Sequence, residues 1–129
     1  MIFIDSTFFI ALVLEDDQWH QQALKLIPKL DEADKLISEF ILSETITMVG
    51  SRSGGKAGKQ VYEYMMESCN IHRQDKSAYD QLIKTYLKYD GTLSFSDAST
   101  VEIMRSFNIN EIVSFDSDFD KVKGIIRIS

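Results

Sequence analysis

The alternation of short apolar runs with helical patterns is the strongest constraint on the fold. Residues 2–5, 35–38, 112–115 and 125–128 are each short enough for one buried strand. Helical apolar spacing fills most of the chain between them. Strands separated by helices favour a parallel sheet with helices on both faces. For a chain of 129 residues, we therefore predict one α/β domain over 1–129, with three α/β/α layers around a short, mostly parallel sheet.

The predicted helices can be given approximate bounds. The first runs from Ser6 or Thr7 to about Leu14, and Pro28 makes the last turn of the second uncertain. Three glycines in Gly50–Gly55 predict a break and a mobile loop. A short strand is predicted within 69–73. The remaining predicted helices cover about 18–29, 40–49, 56–68, 76–89 and 97–107.

Composition limits the class of protein. The formal net charge of −6 argues against a protein that coats nucleic acid by charge alone. The single cysteine, Cys69, fits a reducing cytoplasm. No apolar run approaches the roughly 20 residues of a membrane span, and no basic region precedes the first apolar run. We expect a cytoplasmic protein without a membrane segment.

Four acidic residues occupy unusual local positions. Asp5 and Asp116 each end an apolar run, Glu44 interrupts an apolar helical stripe, and Asp97 begins a helix. In parallel sheets, ligands bind beyond the carboxyl ends of the strands, so carboxylates there are placed to converge. Converging carboxylates repel each other, and a divalent cation relieves the repulsion. This pattern predicts a metal-dependent hydrolase, with a nuclease as the leading candidate.

Each acid also has a simpler structural explanation. Asp5 and Asp97 suit helix caps, and Asp97 also suits the helix dipole. Glu44 is unremarkable if its helix face is exposed, and Asp116 is unremarkable in a charged turn. One acid alone is weak evidence, whereas four acids at one rim of the sheet form a stronger case.

The local sequences around these acids resemble those of a known family. The matching segments are Phe3-Ile4-Asp5-Ser6-Thr7, Leu42-Ser43-Glu44, Phe95-Ser96-Asp97-Ala98 and Val113-Ser114-Phe115-Asp116-Ser117-Asp118-Phe119. In order and spacing, they resemble the PIN domains of VapC-type toxin ribonucleases and their stand-alone relatives. The resemblance covers essentially the whole chain.

The resemblance implies a role for each matching residue. Asp5, Glu44, Asp97 and Asp116 would hold one or two Mg²⁺ or Mn²⁺ ions and so support cleavage of phosphodiester bonds. Three further residues would lie around these four acidic ligands and support them. Ser114 would orient Asp116, Ser6 matches a small polar residue after the first acid, and Asp118 matches a common additional acid.

The glycine-rich segment also resembles a phosphate-binding P-loop. Ala57 stands where a Ser or Thr should bind Mg²⁺, and a helical pattern precedes the segment where a strand is required. We therefore set nucleotide binding aside. Arg52, Lys56 and Lys59 are instead candidate contacts for an RNA backbone, with a solvated loop as the equal alternative.

These features lead to one main hypothesis and one alternative. The main hypothesis is a Mg²⁺- or Mn²⁺-dependent endoribonuclease that hydrolyses RNA, either as the toxin of a toxin–antitoxin pair or as a stand-alone processing enzyme. The alternative is a PIN-like module that binds RNA or protein with weak or no cleavage. The resemblance further implies an antitoxin protein as a possible partner and a homodimer.

Overall fold

The computed structural model describes all residues from 1 to 129. Two short 3₁₀ helices, Lys76–Ala78 and Ser117–Lys121, accompany the main elements. The main helices and strands, in chain order, are β1 (Ile2–Ile4), α1 (Ser6–Val13), α2 (His20–Asp31), β2 (Lys35–Ser38), α3 (Glu39–Ser53), α4 (Gly55–Ser68), β3 (Asn70–His72), α5 (Tyr79–Lys88), α6 (Phe95–Ser106), β4 (Glu111–Val113) and β5 (Ile126–Ile128). No helix has the length and apolar character that crossing a membrane requires.

The five strands form one parallel sheet in the order β3-β2-β1-β4-β5. The predicted α/β class is therefore confirmed. In register, Phe3 pairs with Leu36 on one side and with Ile112 on the other. Since all strands run the same way, the segments that follow β1 and β4 emerge at the same edge. The fold thus brings the two strand-ending acids, Asp5 and Asp116, to one edge of the sheet.

The core explains why β1 and β4 are continuously apolar. Phe3, Ile4, Ile112 and Val113 have no exposed surface, as expected for strands covered on both faces. Helix α1 packs against α2 and α3, α3 packs against α4, and α5 packs against α6. The helices thus form two packed groups around a sheet whose central strand, β1, leads directly into Asp5.

The prediction of a mobile loop at Gly50–Gly55 is wrong. Helix α3 continues through Ser53, and only Gly54, with φ of 91°, separates it from α4. A Cβ at Gly58 would lie 3.3 Å from the Ile46 carbonyl oxygen and 3.6 Å from the Gly50 Cα. The glycines therefore allow a sharp turn and a close approach of two helices rather than a flexible loop.

Smaller differences concern where helices begin and end. Helix α2 begins at His20 and continues past Pro28 to Asp31. Helix α6 begins at Phe95, two residues before the predicted start, because the Ser94 hydroxyl accepts a hydrogen bond from the Asp97 amide. The predicted strand within 69–73 is confirmed as β3.

Candidate active site at the carboxyl edge of the sheet

Asp5 is the most buried of the four candidate acids, with 3% of its surface exposed. It occupies the N-cap position of α1 but makes no side-chain capping bond. Its Oδ2 instead accepts hydrogen bonds from Ser114 Oγ at 2.7 Å and from Thr7 Oγ1 at 2.9 Å. Burial raises the pKa of Asp5, and the nearby charge of Glu44 raises it further against the hydroxyl bonds. The carboxylate is therefore held firmly in a place that disfavours its charge.

Glu44 lies on α3, at the exposed side of the same region. The buried stripe of α3 is formed by Ile41, Thr45 and Val49, whereas Met48 is 40% exposed. The expectation that Glu44 interrupts a buried face is therefore wrong, because the apolar spacing through Ile41 and Met48 does not follow the face that α3 buries. Ser6 Oγ donates to Glu44 Oε2 at 3.1 Å, which ties this carboxylate to the residue after Asp5.

Asp97 is part of a capping box at the start of α6. Its amide donates to Ser94 Oγ at 3.0 Å, and its Oδ2 accepts from the Ser94 amide at 3.3 Å. Burial raises the pKa of Asp97 to about 6, with further contributions from the charges of Asp5 and Asp116. Asp97 thus caps its helix, as the simpler structural explanation predicts. Its pKa is also raised by the charges of two acids from distant parts of the chain.

Asp116 lies three residues beyond β4 and is held by its neighbours. Its amide donates to Ser114 Oγ at 3.0 Å, and its Oδ1 accepts from the Asp118 amide at 2.9 Å. Ser114 therefore positions the backbone of Asp116 while its own hydroxyl proton goes to Asp5. The carboxylate of Asp118 points elsewhere and pairs with Lys121 Nζ at 3.0 Å.

Thr7 is a supporting residue that sequence reasoning missed. Besides its bond to Asp5, its hydroxyl oxygen accepts from the Phe115 amide at 3.0 Å and lies 3.4 Å from Ser114 Oγ. It therefore ties the segment after β1 to the segment after β4. The sequence signal for this role is a hydroxyl two residues after a strand-ending acid, where it can bond that acid's carboxylate.

The four carboxylates influence one another without forming a closed cluster. The charge of Glu44 contributes to the raised pKa of Asp5, and the charges of Asp5 and Asp116 contribute to the raised pKa of Asp97. No three acidic, histidine or cysteine side chains lie close enough together to ligate one ion directly. The donor set nevertheless fits Mg²⁺ or Mn²⁺, because hard cations take oxygen ligands and Mg²⁺ keeps several waters alongside one or two carboxylates.

The three candidate RNA contacts are dispersed along α3 and α4. Arg52 lines a cleft of about 210 Å³ together with Thr7, Trp19 and Phe115, so it lies on the side of the acidic site. Lys56 is exposed on the first turn of α4. Lys59 is also exposed and pairs with Glu63 at 3.6 Å. Only Arg52 is therefore linked to the acidic site by a shared cleft.

Comparison with known proteins identifies the family. The PIN domain model matches residues 2–125. Ribonuclease VapC6 of Methanocaldococcus jannaschii is 27% identical in an alignment of 146 positions that spans 96% of this chain and 94% of the relative. The 23S rRNA-specific endonuclease VapC20 of Mycobacterium tuberculosis is 26% identical in an alignment of 130 positions that spans 99% of this chain and 98% of the relative.

Solved structures agree with the family model. The crystal structure of Mycobacterium tuberculosis VapC20, described as a sarcin-ricin loop cleaving toxin, matches with a TM-score of 0.85 and 24% identity over 94% of each chain. VapBC2 of Rickettsia felis, bound to a DNA fragment from its promoter, matches with a TM-score of 0.72 and 11% identity over 99% of this chain and 98% of that one. Since the family model spans nearly the whole chain, the protein belongs to the PIN domain family.

Proposed function

We propose that this chain is an endoribonuclease that hydrolyses RNA phosphodiester bonds with the help of Mg²⁺ or Mn²⁺. The observation that carries the proposal is that acids from four separate segments meet at one edge of the sheet. Ser114 Oγ bonds both the Asp5 carboxylate and the Asp116 amide, Ser6 next to Asp5 bonds Glu44, and the charges of Asp5 and Asp116 help to raise the pKa of Asp97. Such perturbed carboxyl groups are typical of functional sites. The ribonuclease and endonuclease names of VapC6 and VapC20 support the same activity.

The proposed chemistry divides the work among the acids. Asp5, Glu44, Asp97 and Asp116 would ligate the cation, either directly or through water. When bound, the cation would make water a better nucleophile and offset charge on the phosphate. Ser114 and Thr7 hold the Asp5 carboxylate, so this group would not need to reorient for catalysis. Exposed Glu44, held by Ser6, would stand on the side from which substrate enters.

The supporting residues and partners belong to the same proposal. Ser6, Ser114 and Asp118 would support the ligands, and Arg52, Lys56 and Lys59 would contact the RNA backbone. We also propose an antitoxin protein as a partner, since a VapBC pair is among the structural matches. A homodimer and a cytoplasmic location complete the proposal.

The direct test measures RNA cleavage by the purified protein in Mn²⁺, in Mg²⁺ and in EDTA. Glu44→Gln and Asp97→Asn should lower kcat/KM on the order of 100-fold, because each removes a ligand charge. Glu32→Gln and Asp31→Asn are matched controls, since both residues are exposed and precede β2, at the edge of the sheet opposite Asp5, and the variants should cleave like the parent.

Two results would contradict the proposal. Cleavage that persists in EDTA would refute metal dependence. A parent protein that binds RNA but leaves it intact under all metal conditions would favour the alternative of a binding module.

A further inference from the structure

A second charged region lies outside the acidic site and meets it at Lys121. Four cationic side chains, Lys88, Arg105, Lys121 and Lys123, line one cleft of about 270 Å³, and Tyr89 is its remaining lining residue. This basic cleft stands out because the whole chain carries a net charge of −6. Its residues come from α5, α6 and the segment between β4 and β5, so no local run of basic residues announces it.

The positive charge of the basic cleft is only partly neutralised. Arg105 pairs with Glu102, and Lys121 pairs with Asp118 at 3.0 Å. Lys123 makes no ion pair, and the Lys88 ammonium lies 5.6 Å from the centre of the Tyr89 ring rather than against a carboxylate. Four like charges that share two carboxylates repel one another, and an anionic ligand would relieve this repulsion.

The basic cleft is connected to the acidic site at Lys121. The Lys121 ammonium contacts Asp118, whose amide donates to Asp116 Oδ1 at 2.9 Å. The same ammonium lies 3.5 Å from the Thr92 carbonyl oxygen, two residues before the cap of α6. Lys121 thus lies between the segment that carries Asp116 and the loop that leads into α6, the helix of Asp97. Arg105, eight residues after Asp97 in α6, extends the cleft away from the site by about 12 Å of helix.

We propose that the basic cleft binds consecutive phosphates of the RNA strand whose scissile bond lies at the acidic site. The inference rests on the proposed ribonuclease function. An acidic site repels RNA, so substrate must be held by cations that lie close to the site but outside it. Lysines suit this task because they contact phosphates without reading the bases. The cleft therefore contributes affinity that does not depend on sequence.

The test compares two double variants that remove the same charge. Lys88→Gln with Lys123→Gln alters the two cleft lysines that have no carboxylate partner, so folding should be unaffected. Lys25→Gln with Lys29→Gln removes two exposed lysines of α2 and serves as the control. The affinity of a labelled single-stranded RNA is measured by fluorescence anisotropy in Ca²⁺ from 50 to about 500 mM salt, where electrostatic contacts determine the slope.

The expected result is specific to the cleft variant. Loss of two phosphate contacts should reduce the slope of log K against log salt by about 1.4 and weaken binding about tenfold near physiological salt. In cleavage assays, the loss should appear mainly as a higher KM, because contacts far from the reacting bond bind ground state and transition state alike. The control variant should match the parent in both measurements.

Three other outcomes would overturn the inference, and they can be told apart. An unchanged slope in the cleft variant, with normal cleavage by the parent, would place RNA elsewhere and leave the proposed function intact. A parent that neither binds nor cleaves RNA would remove the proposed function itself. If a polyglutamate peptide bound as tightly as RNA and lost the same affinity in the cleft variant, the cleft would be a docking site for acidic protein segments.

Discussion

Replacing Asp97 by Asn should stabilise the protein when no divalent cation is present. The pKa of this carboxyl is raised from 3.8 to about 6, mainly by burial and then by Asp5. A shift of this size corresponds to about 3 kcal/mol. Asp97 is partly exposed, so screening by solvent reduces the figure to about 1–2 kcal/mol. Asn removes the charge, while its amide oxygen can still accept the Ser94 amide bond of the capping box.

The sign of the effect fixes its dependence on pH. A carboxyl whose pKa is raised by folding destabilises the native state above pH 6, where it must ionise, and has no such effect below pH 3.8. The contribution of Asp97 to the free energy of unfolding of the parent should therefore fall as pH rises from about 4 to above 6. The variant should melt about 3–6 °C higher than the parent at pH 7.5 and should show no such advantage at pH 4.

Thermal melting in EDTA across this pH range is the assay, and Asp31→Asn is the control for simple loss of an acidic charge. Adding Mn²⁺ should raise the melting temperature of the parent more than that of Asp97→Asn, because the variant has lost a ligand. A variant that is equally destabilised at every pH would refute the reasoning, because capping would then dominate. An equal shift with Mn²⁺ in both proteins would show that Asp97 is not a ligand.

Two further predictions concern the support of the site and the packing of the helices. Ser114→Ala should lower the free energy of unfolding by about 1–3 kcal/mol in urea titrations, because it removes one of the two hydroxyl bonds to the buried Asp5 carboxylate and leaves the Asp116 amide without its partner, and it should reduce RNA cleavage as well. An unchanged cleavage rate would deny Ser114 a positioning role. Gly50→Ala should stabilise by about 0.5–1 kcal/mol, since a Cβ there meets nothing within 4 Å, whereas Gly58→Ala should destabilise because its Cβ lies 3.3 Å from a backbone oxygen. Equal effects of the two alanines would contradict the close packing of α3 and α4.

The fold class can be predicted from the short apolar runs of the sequence. Strands β1 and β4 are covered on both faces, so their residues are uniformly apolar and easily recognised. Asp5 and Asp116 come directly after these apolar runs, so the same pattern predicts that both acids lie at strand ends. In a parallel sheet the chain leaves every strand at one edge, which makes the placement of Asp5 and Asp116 predictable.

Other features depend on tertiary contacts that no local pattern contains. Packing on Ile41 and Val49 determines which face of α3 is buried, and this face excludes Glu44. The apolar spacing in the sequence therefore does not reveal that Glu44 is exposed. Gly50, Gly54 and Gly55 indicate a loop in the sequence, but Gly54 provides only a sharp turn, and Gly50 lies at the contact between two helices. The basic cleft combines cations from positions 88 to 123, and only folding brings them together.

A crystal of the protein soaked in Mn²⁺ tests the central claim most directly, because the anomalous signal locates the cation without reference to any activity. We expect one or two Mn²⁺ peaks between the carboxylates of Asp5, Glu44, Asp97 and Asp116, with Asp5 still held by Ser114. A map without a peak among these acids at saturating Mn²⁺, or with a peak only at other carboxylates, would contradict the proposal that this edge of the sheet is a metal-dependent nuclease site.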